Sequence, residues 1–290
     1  MPFGNIAMLK IILKKTVLVT VLALALIKPE ARAQSVDLFV GADLNYRRLF
    51  FNERLYDLLI YVNPGLKADL GKNWQIAAQA HIPVLNQYGE FYSRIRPGVC
   101  AVSKEILTGG SSLKFSAGLF SAGRYGFDAK WLYPVNEWFA VESQLGFTGY
   151  HSLEQEWKFS PMDRLTGNVK ARFFLKKAAS EIRIAAGRYI YGDYGGQAEF
   201  YTHFKYTSIG LFVQYSSEAK WGAGAKAVFM LPLQKGLRAG KFTFRPASNF
   251  RLTYDVMADN FSLKNYTTDP EENERTGSFS AVPFPGIVRK

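Results

Sequence analysis

The chain has 290 residues, 36 lysines and arginines against 24 acidic residues, and a single cysteine, Cys100. One cysteine excludes an intramolecular disulfide framework, and three scattered histidines give little support for a metal centre. A formal net charge of +12 invites an anionic partner, such as a lipid phosphate or an acidic polymer.

Lys10, Lys14 and Lys15 precede an uncharged apolar run from Thr16 to Ile27, and Ala31-Arg32-Ala33 follows. This order predicts a cleavable secretory signal peptide over 1–33. The apolar run is too short for a spanning helix, which needs roughly 20 residues. Cleavage after Ala33 removes five cations and one anion, so the remaining 257 residues carry a net charge of +8. The new first residue, Gln34, offers no cysteine for a lipid anchor. An exported chain makes a nucleic-acid partner improbable; membrane lipid, including lipopolysaccharide, is at hand. A chain of this length suits one domain.

Beyond residue 33 the hydrophobic pattern has a period of two, the signature of strands. Trp74, Ile76, Ala78, Ala80 and Ile82 oppose Gln75, Ala77, Gln79 and His81. Phe139, Val141, Leu145 and Phe147 oppose Glu142, Gln144 and Thr148. Val169, Ala171, Phe173 and Leu175 oppose Lys170 and Arg172. Ala198, Phe200, Thr202, Phe204 and Tyr206 oppose Gln197, Glu199, Tyr201, His203 and Lys205, and Ile209, Leu211, Val213 and Tyr215 resume an apolar face, which reads as a hairpin. Segments 54–62 and 66–70 are among fourteen candidate strands, some of which merge to leave about twelve. The separators are rich in turn formers, and the two longest, near 150–166 and 233–246, are expected as loops on one side.

Alternation alone fits a soluble sandwich as well as a membrane barrel. Many of the aromatic residues (23 Phe, 16 Tyr and 5 Trp) fall at strand ends, among them Tyr46, Phe50, Trp131, Tyr133, Trp138, Tyr150, Tyr189, Tyr191, Tyr215 and Trp221. With export and strand length, this favours an all-β, antiparallel transmembrane barrel of about twelve strands over 34–267, followed by a polar tail over 268–290. The last strand is expected at 247–257 or near 259–266, and the tail as a plug, a periplasmic contact or a disordered end.

Gly187-Arg188-Tyr189-Ile190-Tyr191-Gly192-Asp193-Tyr194-Gly195-Gly196 and its hairpin to Tyr215, then Trp221-Gly222-Ala223-Gly224-Ala225-Lys226-Ala227, Met230-Leu231-Pro232-Leu233, Phe244-Arg245-Pro246 and Arg251-Leu252-Thr253, resemble the C-terminal part of the YjbH family of exopolysaccharide-associated outer-membrane proteins. The resemblance covers roughly a quarter of the chain. It implies an outer-membrane barrel with a structural or conduit role in export or assembly of extracellular or capsular polysaccharide, with polysaccharide and export-machinery proteins as partners. Family members are longer, so this chain would be a short, single-barrel version.

Gly123-Arg124-Tyr125 with Asp128 echoes Gly187-Arg188-Tyr189 with Asp193 and suggests a repeated hairpin module. Arg124, Asp128, Arg188 and Asp193 are candidate lumen charges, either contacting sugar or simply balancing one another in the wall. No catalytic or cofactor motif is present. His81 and His203 fall on polar strand faces and His151 just past a strand end, so a lipid-modifying barrel enzyme is an alternative, as is a small porin or adhesion barrel. Arg94, Arg96, Lys104, Lys176, Lys177, Lys235 and Arg238 are loop cations that a polyanion could meet, although solvated turns explain them equally well.

Overall fold

The computed structural model describes residues 34–49, 56–152, 158–218, 220–230, 236–257 and 265–270. The expected signal peptide, the tail beyond Pro270, Lys235 and the region 258–264 lie outside these residues. The strands, in chain order, are β1 (Ser35–Leu49), β2 (Asp57–Gly71), β3 (Trp74–Asn86), β4 (Arg96–Thr108), β5 (Ser111–Phe120), β6 (Arg124–Pro134), β7 (Phe139–Ser152), β8 (Lys158–Phe159), β9 (Arg164–Leu175), β10 (Ser180–Arg188), β11 (Tyr194–His203), β12 (Thr207–Ser216), β13 (Lys220–Met230), β14 (Leu237–Ala239), β15 (Phe242–Pro246) and β16 (Asn249–Met257).

Each long strand pairs with its neighbours in sequence, and β1 pairs with β2 on one side and β16 on the other, so the sheet closes on itself. The closed wall contains thirteen strands: β1–β7, β9–β13 and β16. The barrel is therefore as expected, with one strand more than about twelve. An odd number of up-and-down strands forces the first and last to run the same way, and β1 meets β16 in parallel, Asp43 opposite Arg251 through Leu49 opposite Met257. The wall is mixed rather than wholly antiparallel for that reason alone.

Short turns at 72–73, 109–110, 135–138, 176–179 and 204–206 lie at one end, where β1 starts. At the other lie the connections 87–95, 121–123 and 189–193, together with β8, and there β16 finishes. We call these the turn end and the loop end. The two longest separators lie at opposite ends, not on one side, because an even number of crossings does not separate them. The second also contains structure: β15 pairs with the start of β1 in parallel, Val40 opposite Pro246. Three steps along β1 from Val40 to Asp43 then face five from Pro246 to Arg251, so Ala247 and Ser248 form a bulge between β15 and β16, pinned where the Ala247 N–H donates to the Val40 carbonyl at 2.8 Å. Pro246, which cannot donate to a ladder, sits at that bulge. Pro64-Gly65 do not break β2 either: the β2–β3 ladder passes from Val62 opposite Ile82 to Gly65 opposite Gln79. Gly65 leaves room for the Phe39 ring, whose Cζ would lie 2.4 Å from a Cβ there.

The alternation resolves the choice between barrel and sandwich. The apolar faces expected on β7, β9, β11 and β12 point out: Leu145, Phe147, Val169, Phe200, Ile209, Leu211 and Val213 are all exposed, while on β3 Trp74 is exposed and Ile76 is buried. Their polar alternates point in, and Asp43, Arg47, Asn63, Gln79, Asp128, Thr148, Arg172, Glu181 and His203 are buried. Exposed aromatics gather at both ends, with Trp74, Trp131, Tyr133, Trp138 and Tyr206 at the turn end and Tyr56, Tyr150, Tyr191, Tyr194, Tyr215 and Trp221 at the loop end. Tyr189 does not join them, being buried beneath its loop.

Inside the turn-end half, charges are matched. Glu181, fully buried, accepts from Arg172 Nε at 2.7 Å and from Arg183 Nε at 2.8 Å. Glu142 reaches Lys170 at 3.4 Å and Arg172 at 3.9 Å, and Glu199 reaches Lys226 at 3.5 Å and Arg183 at 3.7 Å. Removing the central carboxylate takes the two short ion-pair contacts from Arg172 and Arg183 and leaves them the longer ones to Glu142 and Glu199. Glu181→Ala is expected to destabilise the barrel by about 3–5 kcal/mol, read as a lower urea midpoint for loss of the folded band on an unboiled gel; an unchanged midpoint would show that the network is unimportant to the fold.

Candidate functional site

The lumen holds the chain's own peptide. Past β16, Asn265–Pro270 lies against the inner faces of β5, β6, β7 and β9. Tyr266, 2% exposed, stacks on Phe120 with ring centroids 5.3 Å apart and planes 9° apart. Its hydroxyl donates to Asp128 Oδ2 at 2.8 Å and lies 3.4 Å from Thr166 Oγ1. Gly146 makes this possible, because a Cβ there would lie 1.6 Å from the Tyr266 hydroxyl. The backbone is held at Ser121, whose N–H donates to the Thr267 carbonyl at 3.1 Å and whose hydroxyl accepts the Thr267 N–H at 2.7 Å. Asp269 accepts a hydrogen bond from Lys114 and faces Lys130 at 3.8 Å. Ser121 marks the loop end of β5, while Lys114 and Lys130 lie toward the turn end, so this strap descends into the lumen.

Above the strap is a cavity of about 580 Å³ under the 87–95 connection. Tyr61, Tyr88, Tyr92 and Tyr150 line it together with Arg94, Arg96, Asp255 and the strap residues Asn265 and Thr267. The arginines are held by rings: Arg96 lies 4.7 Å over Tyr92, and Arg47, beside Asp57 at 3.4 Å, lies 4.1 Å over Tyr88. Asp43 ties the wall beneath, accepting from Asn63 at 2.7 Å and Arg251 at 3.2 Å, and the Asn63 side-chain oxygen lies 2.9 Å from His81 Nδ1. Tyrosine faces beside planar polar groups suit a hydroxylated, partly apolar ligand.

The four candidate lumen charges separate. Arg124 is buried on the inner face and donates to Thr148 Oγ1 at 2.9 Å, and Asp128 is buried on the same face, accepting from Gln144 at 2.7 Å and from Tyr266. They do not bond each other. Arg188 falls on the outward parity of β10, its guanidinium 5.9 Å from the Tyr194 ring centroid. Asp193 is buried in the turn, and neither of its carboxylate oxygens has a hydrogen-bond partner. Burial first, and Asp193 second, raise the pKa of the neighbouring Tyr189 phenol. No ladder of opposite charges joins the four.

The histidines include an arrangement that sequence could not reveal. His203 places Nδ1 3.0 Å from Ser208 Oγ and Nε2 3.4 Å from Glu181 Oε2. All three residues are buried, and two arginines already claim the acid. A nucleophile that no ester can approach serves the wall rather than a reaction. Among the described residues, no three His, Cys, Asp or Glu side chains converge on a metal position. Of the loop cations, Arg94 and Arg96 line the cavity, Lys104 lies 5.2 Å over Trp74, Lys176 bonds Glu137, and Lys177 and Arg238 are exposed at the turn end.

The strap makes a direct test possible. Tyr266→Phe removes the donor to a buried carboxylate and leaves Asp128 with Gln144 alone; the expected loss is about 1–3 kcal/mol of stability, measured by urea unfolding. Gly146→Val is expected to expel the ring and expose the strap to protease at 265–270, whereas continued protection would mean that the strap is held without Tyr266. Comparison with protein-family models, with curated proteins and with solved structures finds no match to this chain.

Proposed function

We propose that this protein is an integral barrel of a bacterial outer membrane, with a structural or conduit role in the export or assembly of an extracellular or capsular polysaccharide. The observation that carries the membrane reading is the outward apolar wall between two aromatic rims, around a polar, charged lumen. A water-soluble barrel gains stability by burying its apolar face, whereas this one turns that face outward, which suits a hydrocarbon solvent. Closure without a free edge satisfies the other demand of lipid, that backbone groups pair within the wall.

Two things support the polysaccharide reading: the resemblance over 187–253 and the tyrosine- and arginine-lined cavity at the loop end. Sugar rings present C–H faces to aromatic rings and hydroxyls to arginine, carboxylate and amide groups. The strap and the ion pairs filling the lumen favour a retaining or scaffolding role over a wide pore. The inaccessible Ser208 argues against the lipid-modifying alternative.

The membrane reading predicts a boiling-dependent shift in gel migration for protein from the outer-membrane fraction; a soluble protein with no shift would overturn it. Leu211→Arg on the outer face is expected to cost about 2–4 kcal/mol in lipid, while Gln214→Arg on the inner face of the same strand costs far less. For the polysaccharide role, the expected result is loss of surface polymer on gene deletion, and unchanged polymer would sink that role while leaving the barrel intact.

A further inference from the structure

The outer wall carries a depression near the loop end. Leu145 on β7, Leu165 and Gly167 on β9, Ala186 and Arg188 on β10 and Tyr194 on β11 border an apolar groove of about 540 Å³. The register explains it: Gly167 lies opposite Arg188 and Ala186 opposite Gly196, so small residues on three adjacent strands interrupt the bulky outward face. Below, the wall continues through exposed Val169 and Ile184.

The groove has a charged head. Arg188 donates through Nε to the Gly192 carbonyl at 3.4 Å, and among the described residues no carboxylate lies within ion-pair distance of it. Arg164, which donates to the Tyr191 carbonyl and has the exposed Asp163 at 3.8 Å, converges on the same turn. Arg164 Nη1 and Arg188 Nη2 lie 3.0 and 3.6 Å from one point beside Gly192. Tyr194, 66% exposed, stands at the rim where a headgroup layer meets hydrocarbon.

We infer that this groove binds one anionic phospholipid, its phosphate on Arg188 and Arg164 and the first part of an acyl chain over Gly167 and Ala186. The inference rests on the membrane reading. A half-buried guanidinium with no acid in ion-pair range among the described residues, placed at the top of an apolar channel in a lipid-facing wall, is complementary to a lipid phosphate and its chain. A neutral lipid would leave the charge unmatched. A soluble phosphate would leave the groove empty.

The test uses full-length barrel purified in detergent, delipidated, and titrated with phosphatidylglycerol, phosphatidylcholine or diacylglycerol under native mass spectrometry. Phosphatidylglycerol is expected to be retained preferentially as a single adduct, and Arg188→Gln to weaken it by about tenfold, the scale of one charge-assisted contact. Gly167→Leu fills the groove and should fold, since a Cβ there meets only Gln144 O and Leu145 Cδ1 at 3.5 Å. It is expected to abolish retention while leaving the boiling shift unchanged. Equal retention by the native protein and both variants, or full displacement of the lipid by glycerol phosphate, would overturn the lipid site with the barrel reading intact. Loss of the boiling shift in the native protein would overturn both.

Discussion

The structure depends on parity. Thirteen antiparallel crossings bring the chain to the end opposite its start, so β16 must close against β1 in parallel and the following residues emerge at the loop end. A parallel pair bonds slightly less favourably per residue than an antiparallel one. Here the seam is reinforced from inside by Asp43, shared between Asn63 of β2 and Arg251 of β16, and by Arg245 of β15, which lies 5.5 Å over the Phe39 ring and 3.6 Å from Asp37. The same parity explains the strap, since a chain leaving at the loop end has the open mouth of its own lumen beside it.

A polar lumen is costly unless its groups answer one another, and the two halves do so differently. Toward the turn end, residues of neighbouring strands suffice, because Glu142, Glu181 and Glu199 alternate with Lys170, Arg172, Arg183 and Lys226 across the wall. On the adjoining strands β5 and β6, Asp269 and Tyr266 of the strap supply partners to Lys114, Lys130 and Asp128. The strap thus completes the charge balance of the interior as well as filling it. The cavity above remains because the 87–95 connection arches over it, with Arg96 and Tyr92 stacked together.

Period-two alternation made the fold legible, because any strand with one face toward an interior and the other toward its surroundings requires it. What escaped was whatever depends on distant pairing. Residues of segments 54–62 and 66–70 belong to one strand, β2, because the β2–β3 ladder resumes beyond Pro64, a pairing that no local pattern shows. The parallel seam follows from an odd count that merging segments could not settle. Arg188 shares its sequence setting with Arg124, a lumen residue, yet the alternation within Glu181, Arg183 and Ala185 assigns Arg188 to the outward parity. Tyr266 fell on the boundary between barrel and tail; the available signal was an aromatic in a polar stretch just after the last strand, and its partner Gly146 became meaningful only in three dimensions.

The inner recess and the outer groove lie back to back where β7 and β9 meet. Gly146 pairs with Thr166 and Leu145 with Gly167, so one step along these strands separates the inner recess for Tyr266 from the outer groove. Thr166 belongs to both: its hydroxyl lies 3.4 Å from the tyrosine inside, while the residue also forms part of the groove floor. A glycine on each face removes the side chains that would otherwise separate strap from groove. A shift of the β9 backbone under a molecule in the groove would therefore be felt first at the Tyr266 hydroxyl, and any preference of the groove for one strap position would be matched by an equal preference of the strap for one groove shape.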